Sequence, residues 1–131
     1  MTLVLTEDEV RSVLDVRSCV KAVEEAFRAY GEGRVNMPPK AYLDLEKGDF
    51  RAMYGELKGS FQVADICGMK WVNVHPENPK KGIPTVMAVI ILNDPETGLP
   101  LAVMDGSYIT DMRTGAAAAV ATKYLSKEDS G

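Results

Sequence analysis

The apolar residues of this chain change their spacing twice, and those changes decide which layers it can build. Between Val16 and Tyr30 they recur at Val16, Cys19, Val20, Val23, Phe27 and Tyr30. Steps of three and four put them on one buried stripe of a helix. Gly31 and Gly33 follow, and glycine suits the left-handed residue that closes many helices. The spacing then drops towards two. Residues 41–45 alternate, Lys47-Gly48-Asp49 supplies a turn, and residues 50–54 alternate again, which predicts a β-hairpin. No clear period marks 55–64, expected as an irregular link. Residues 66–75 and 85–92 are stronger apolar strands joined by a polar loop at 76–82. A turn-forming run, 93–98, leads to a last strand at 99–104. The spacing returns to a helix over 108–125, where Ala116 to Ala119 have the best intrinsic helix propensity.

Two shorter signals precede this pattern. Leu3-Val4-Leu5 reads as an edge strand. Thr6 and Glu9 have the spacing of a capping box, opening a short helix to about Leu14, and Asp15 can cap the next. The order is helices, then strands, then one helix. That is an α+β pattern, with N-terminal helices packed on a mostly antiparallel sheet, rather than repeating βαβ units.

Composition narrows the function. The 131 residues suit one domain. Fifteen basic against nineteen acidic side chains, a net charge of −4, give no basic stripe for nucleic acid and no polybasic membrane anchor. Cys19 and Cys67 lack CxxC spacing, and His75 is the only histidine. Buried structural thiols are therefore expected, with no disulfide and no metal site. Nothing resembles a signal peptide, and no apolar run reaches the ~20 residues that span a bilayer. The expectation is a cytoplasmic protein that binds neither membrane nor nucleic acid.

Four polar residues could carry chemistry. Lys70 sits in Ile66-Cys67-Gly68-Met69-Lys70-Trp71-Val72, an otherwise apolar strand. Burying an ammonium is costly unless it is paired or its pKa falls, and a lowered pKa makes lysine a proton shuttle. The plain alternative is an edge lysine that reaches into water. Arg51 lies in the hairpin's second strand, where its planar fork could grip a carboxylate or simply face solvent. Arg113 comes early in the last helix, whose N-terminus favours anions; an ordinary exposed arginine is the other reading. Thr85 opens a strand after Pro84, as a ligand contact or as a β-branched strand opener. His75, beside Pro76, reads as a loop residue, and the methionines as core filler. The chain has neither a G-x-G-x-x-G after a strand nor a P-loop.

Several stretches in colinear order carry a resemblance: Met37-Pro38-Pro39-Lys40, Gly48-Asp49-Phe50-Arg51-Ala52-Met53, and Gly68-Met69-Lys70-Trp71-Val72-Asn73. After them come Gly82-Ile83-Pro84-Thr85-Val86-Met87, Asp94-Pro95-Glu96-Thr97-Gly98-Leu99-Pro100, and Arg113-Thr114-Gly115-Ala116. Together they resemble the amino-terminal part of the ornithine cyclodeaminase/mu-crystallin family, which includes archaeal-type alanine dehydrogenases. The resemblance implies that Arg51 binds a substrate carboxylate and that Lys70 transfers protons at the reacting carbon. It also implies that Thr85 and Arg113 contact dinucleotide phosphates, with Arg113 reaching the substrate too.

The implied chemistry is hydride transfer from the α-carbon of an amino acid to NAD or NADP. In the alanine dehydrogenase branch, water then releases ammonia and a 2-oxo acid; in the cyclodeaminase branch, ornithine closes to proline. A non-catalytic ligand-binding and dimerisation module of mu-crystallin type is the third possibility. The resemblance also implies a homodimer through the sheet. It divides the chain into a substrate-binding and dimerisation domain, residues 1–125, and a linker stub, 126–131, towards a Rossmann domain that the chain lacks.

Overall fold

The computed structural model describes residues 1–60 and 64–126. Along the chain run β1 (Leu3–Leu5), α1 (Glu7–Val13), α2 (Val16–Gly31), β2 (Val35–Asn36), β3 (Ala41–Leu45), β4 (Gly48–Ser60) and β5 (Ala64–Val74). A 3-10 turn at Asn78–Lys81, β6 (Ala88–Asn93), β7 (Pro100–Asp105) and α3 (Ser107–Leu125) follow. One sheet holds the strands in the order β1-β7-β6-β5-β4-β2, with β3 also paired to β4. Every pairing is antiparallel except that of β1 with β7. The α+β class expected from the order of periods is the class the chain forms.

Both N-terminal helices start where their caps require. Thr6 Oγ1 accepts from the Glu9 amide at 3.3 Å while the Glu9 carboxylate accepts from the Thr6 amide at 3.2 Å. Asp15 Oδ1 accepts from the Ser18 amide at 2.7 Å. These bonds satisfy amides that a helix start leaves without partners.

Three expectations need correction. The link expected over 55–64 is strand as far as Ser60, because β4 keeps pairing with β5 through Gly55↔Gly68 and Leu57↔Ile66 before the register shifts. A Cβ on Gly68 would collide with the Ile91 carbonyl and approach Leu92 Cδ2 to 2.9 Å, so two glycines break the apolar period where backbones must come close. The strand expected from Thr85 begins only at Ala88. The α2 stripe is only partly covered: Cys19 is buried, but Phe27 is 56% exposed and Tyr30 66%. Residues 61–63 of the expected link and 127–131 of the expected linker stub lie outside the described residues.

The register sorts the strand residues onto two faces. Arg51, Met53, Lys70, Val72, Ala88, Ile90, Ala102 and Met104 share one face, with Ala88 and Ile90 lying against the start of α3. Leu43, Phe50, Tyr54, Met69, Trp71, Val89 and Ile91 share the other. The buried apolar residues are small or medium: Val10, Cys19, Ala29, Val72, Ala88, Ala102, Ala116 and Val120. The chain exposes 9129 Å², about a third more than the roughly 6,800 Å² that area–mass scaling gives a compact monomer of this mass. Much of that surplus is apolar and available for burial against another surface.

Candidate active site

Lys70 stands on β5 between two apolar strands, opposite Met53 on β4 and Ile90 on β6. It is half-buried, and no carboxylate among the described residues forms an ion pair with it. Burial first, then the positive charges of Arg113 and Lys40, push its pKa below the ordinary lysine value. All three effects disfavour the ammonium and leave more of the amine in the neutral form, which is the form that can accept a proton.

Arg51 lies on the same face, opposite Val72 and therefore diagonal to Lys70, a separation of ~7–8 Å between such positions. Asp49 shares its face, because residues two apart on a strand point the same way. Arg51 Nε donates to Asp49 Oδ1 at 3.1 Å and Nη2 to Asp49 Oδ2 at 3.4 Å. That grip occupies one edge of the guanidinium and leaves the Nη1 side of the fork for a second carboxylate. On β3, Tyr42 pairs with Arg51, and its ring lies 5.4 Å from the guanidinium carbon and 5.6 Å from Lys40 Nζ. These distances suit cation–π attraction of both cations to one ring.

Arg113 is roughly two turns into α3, and exposed. Helix-end potential fades within the first turn, so Arg113 acts through its own charge rather than through the helix N-terminus. Gly106 lets α3 start directly against β6: a Cβ there would lie 2.9 Å from Ile90 Cγ1 and 3.2 Å from Ala88 Cβ. The helix is thereby seated over the strand that neighbours Lys70.

Beside Lys70 lies an open cavity of about 720 Å³, lined by Met37, Pro39, Lys40, Met53, Gly68 and Ile90 among others. Its walls are mostly apolar, and its cations stand without paired carboxylates. Lys40 and Lys70 are its cations and Glu56 adds one carboxylate, and neither Arg51 nor Arg113 is among its lining residues.

Of the four residues singled out, Lys70 and Arg113 come within electrostatic reach of each other, and Arg51 lies diagonal to Lys70. Thr85 does not line this cavity. It occupies a bend upstream of β6, where its carbonyl accepts from the His75 amide at 2.9 Å and from Asn73 Nδ2 at 3.3 Å. Four further residues earned no site role from the sequence: Lys40, Tyr42, Asp49 and Asn73. The strand period of two was enough to set Asp49 beside Arg51. The hairpin turn was enough to bring Tyr42 opposite it. Lys40 follows two prolines and joins the site only through tertiary packing.

Both cysteines are free, Cys19 buried and Cys67 half-buried. Among the described residues no cluster of His, Cys, Asp and Glu could hold a metal, and no helix is long and apolar enough to cross a membrane.

The family model described as ornithine cyclodeaminase/mu-crystallin matches residues 1–131. An alanine dehydrogenase of Archaeoglobus fulgidus is 56% identical over 129 residues, 98% of this chain and 38% of the relative. A solved archaeal alanine dehydrogenase dimer with bound NAD superposes with a TM-score of 0.91 at 55% identity, covering 99% of this chain and 39% of that one. Δ1-Pyrroline-2-carboxylate reductase of Thermococcus litoralis, solved with NADH and L-proline, gives a TM-score of 0.88 at 39% identity, covering 98% and 39%. The chain thus spans somewhat over a third of the length of these relatives.

Proposed function

The chain belongs to the ornithine cyclodeaminase/mu-crystallin family, and on that premise we propose that residues 1–125 form the substrate-binding and dimerisation part of an NAD(P)-dependent amino-acid oxidoreductase. L-Alanine dehydrogenase is the preferred activity, converting L-alanine to pyruvate and ammonia. One observation carries the proposal: Lys70 and Lys40 line an apolar cavity together, and the positive charges of Arg113 and Lys40 bear on Lys70. That charge is relieved by an anion, and the α-carboxylate of a small amino or 2-oxo acid fits it. Similarity to the alanine dehydrogenase of Archaeoglobus fulgidus supports alanine over ornithine.

The donor set also fits a dinucleotide. Arg113 is an exposed cation within reach of Lys70's field, suited to a phosphate as well as to the substrate. Thr85 offers a hydroxyl in the bend upstream of β6. A nicotinamide, when bound, supplies the hydride acceptor for the amino acid's α-carbon.

The chain's own residues do the rest. Arg51, held by Asp49 and backed by Tyr42, turns the free side of its fork to the substrate carboxylate and fixes the α-carbon's orientation. Lys70, made readily neutral by burial and by Arg113, takes the proton that the α-ammonium or the attacking water must lose. It returns a proton to the departing ammonia. Met53 and Ile90 beside it limit water at that amine.

A second copy of the chain is the proposed partner through the face that carries Tyr54, Trp71 and Val89. Its exposed apolar side chains and the surplus accessible surface support that reading. The two free thiols agree with a cytoplasmic setting.

The test is to graft this chain onto the remaining part of the Archaeoglobus fulgidus alanine dehydrogenase and follow NADH or NADPH formation with L-alanine and L-ornithine. Turnover of L-alanine is expected. Turnover of L-ornithine alone would transfer the assignment to ornithine cyclodeaminase. A hybrid that binds NAD and turns over neither would leave the non-catalytic module as the answer.

A further inference from the structure

Asn73 is the most buried polar side chain of the fold, 4% exposed, and the chemistry just described does not use it. It lies on β5 at the level where β6 fails to begin. By register, Asn73 faces Met87, the position before β6 starts at Ala88. One half of a regular antiparallel pair is present: the Asn73 amide donates to the Met87 carbonyl at 3.0 Å. The reciprocal bond is diverted, because the Met87 amide donates to Asn73 Oδ1 at 2.6 Å.

The other side of the same amide group holds the next residue of interest. Asn73 Nδ2 donates to the Thr85 carbonyl at 3.3 Å and lies 2.7 Å from His75 Nδ1. These partners leave no freedom of assignment. A backbone N–H can only donate and a backbone carbonyl only accept, so the amide orientation is fixed from both ends. His75 Nδ1 must then accept, and its ring carries the proton on Nε2.

From this geometry we propose that Asn73 is a positioning residue for Thr85. Its side chain takes the Met87 amide out of the β6 ladder and, beside the His75 amide, holds the Thr85 carbonyl, so that the Thr85 hydroxyl meets the bound dinucleotide. The proposal rests on the reading of Thr85 as a dinucleotide contact. It explains why a β-branched, strand-favouring run does not pair as strand: a buried amide occupies the ladder position. A regular strand here would place Thr85 by the pleat alone, with its hydroxyl pointing wherever the period of two directed it.

Two measurements test the clamp, one independent of any ligand. Amide hydrogen exchange on the full chain reads Met87 directly. Asn73→Ala is expected to speed Met87 exchange at least tenfold, leaving Val89 and Ile91 protected. Asn73→Asp keeps an oxygen for Met87, so that amide stays slow while the side-chain bond to the Thr85 carbonyl is lost and only the His75 amide still holds it. Unchanged Met87 exchange in Asn73→Ala, or equally faster exchange along all of β6, would overturn the proposal.

NAD affinity of the hybrid enzyme, measured by calorimetry, reads the consequence. Both Asn73 variants are expected to weaken NAD binding about tenfold with the L-alanine KM unchanged. Wild-type NAD affinity in Asn73→Asp, where Thr85→Val binds NAD weakly, would overturn the proposal, because the Thr85 bond would then be dispensable. Thr85→Val, measured alongside, tests the underlying reading separately. If it binds NAD normally while Asn73→Ala does not, Asn73 does not act through Thr85 and the proposal falls. If neither variant changes NAD binding while Met87 exchange still rises locally, the clamp stands and the assignment of Thr85 to the dinucleotide is what fails.

Discussion

The two faces of the central strands are made by the same residues taken alternately, yet they do opposite things. One face carries Arg51, held by Asp49, and Lys70, whose ammonium is disfavoured by burial and by the charges of Arg113 and Lys40. On the other, Phe50 stacks on Trp71 with ring centroids 4.9 Å apart, and Tyr54 and Val89 are exposed, Tyr54 opposite Met69 and Val89 between Trp71 and Asp105. The first face concentrates field in a cavity; the second offers apolar area to another surface. A strand period of two lets one stretch of chain specify both, because shifting register by one residue would exchange them. The difference teaches that a charge inside an apolar strand is informative only once its face is known.

The comparison can be broken most severely at Lys70. Lys70→Ala is expected to lower kcat of the hybrid enzyme by roughly 10²–10⁴-fold, the usual contribution of a positioned proton-transfer group. Its circular dichroism and melting point should stay close to wild type. Next in size is the opposite face. Val89→Asp places a carboxylate in the apolar patch and should weaken self-association by roughly a hundredfold, seen by sedimentation, while a monomeric wild type would refute that use of the face.

Arg51→Gln should raise the KM for L-alanine roughly 10- to 100-fold, the scale of a lost charge-assisted hydrogen bond. Asp49→Asn releases the guanidinium without removing it. As a half-exposed pair it should raise that KM by only about two- to fivefold. The smallest effect sharpens the electrostatics. Lys70's folded-state pKa lies below its unfolded value, so the unfolded chain binds more protons in the window between the two. Stability therefore rises as pH climbs through that window. Lys40→Met removes one repelling charge. The ascending limb of the kcat/KM profile should move to higher pH, and the stability gain across the window should shrink.

Much of the fold was legible from local chemistry. The capping box at Thr6, the cap at Asp15 and the hairpin around Gly48 are decided within a few residues, and they form as read. Lys70 stood out because an ammonium in an apolar strand needs an explanation, and the cavity beside it supplies one. The misses share a non-local cause. Strand β4 extends to Ser60 because β5 pairs with it, although Gly55 and Gly59 interrupt its own period. Strand β6 starts late because a side chain from another strand takes its amide. Phe27 and Tyr30 have the spacing of core residues, but spacing cannot say whether a surface arrives to cover them.

The parallel pairing of β1 with β7 has a consequence for how the molecule is made. Thr2 Oγ1 donates to the Pro100 carbonyl, 98 positions away, and Leu3 pairs with Ala102. Residues 3–5 therefore cannot find their partners until residues 102–104 have been made. Closing so long a loop makes this contact a late and slow event in folding. Until it forms, the open side of β7 is a template for any passing strand. Once β1 docks, that side of β7 is paired and the template is closed.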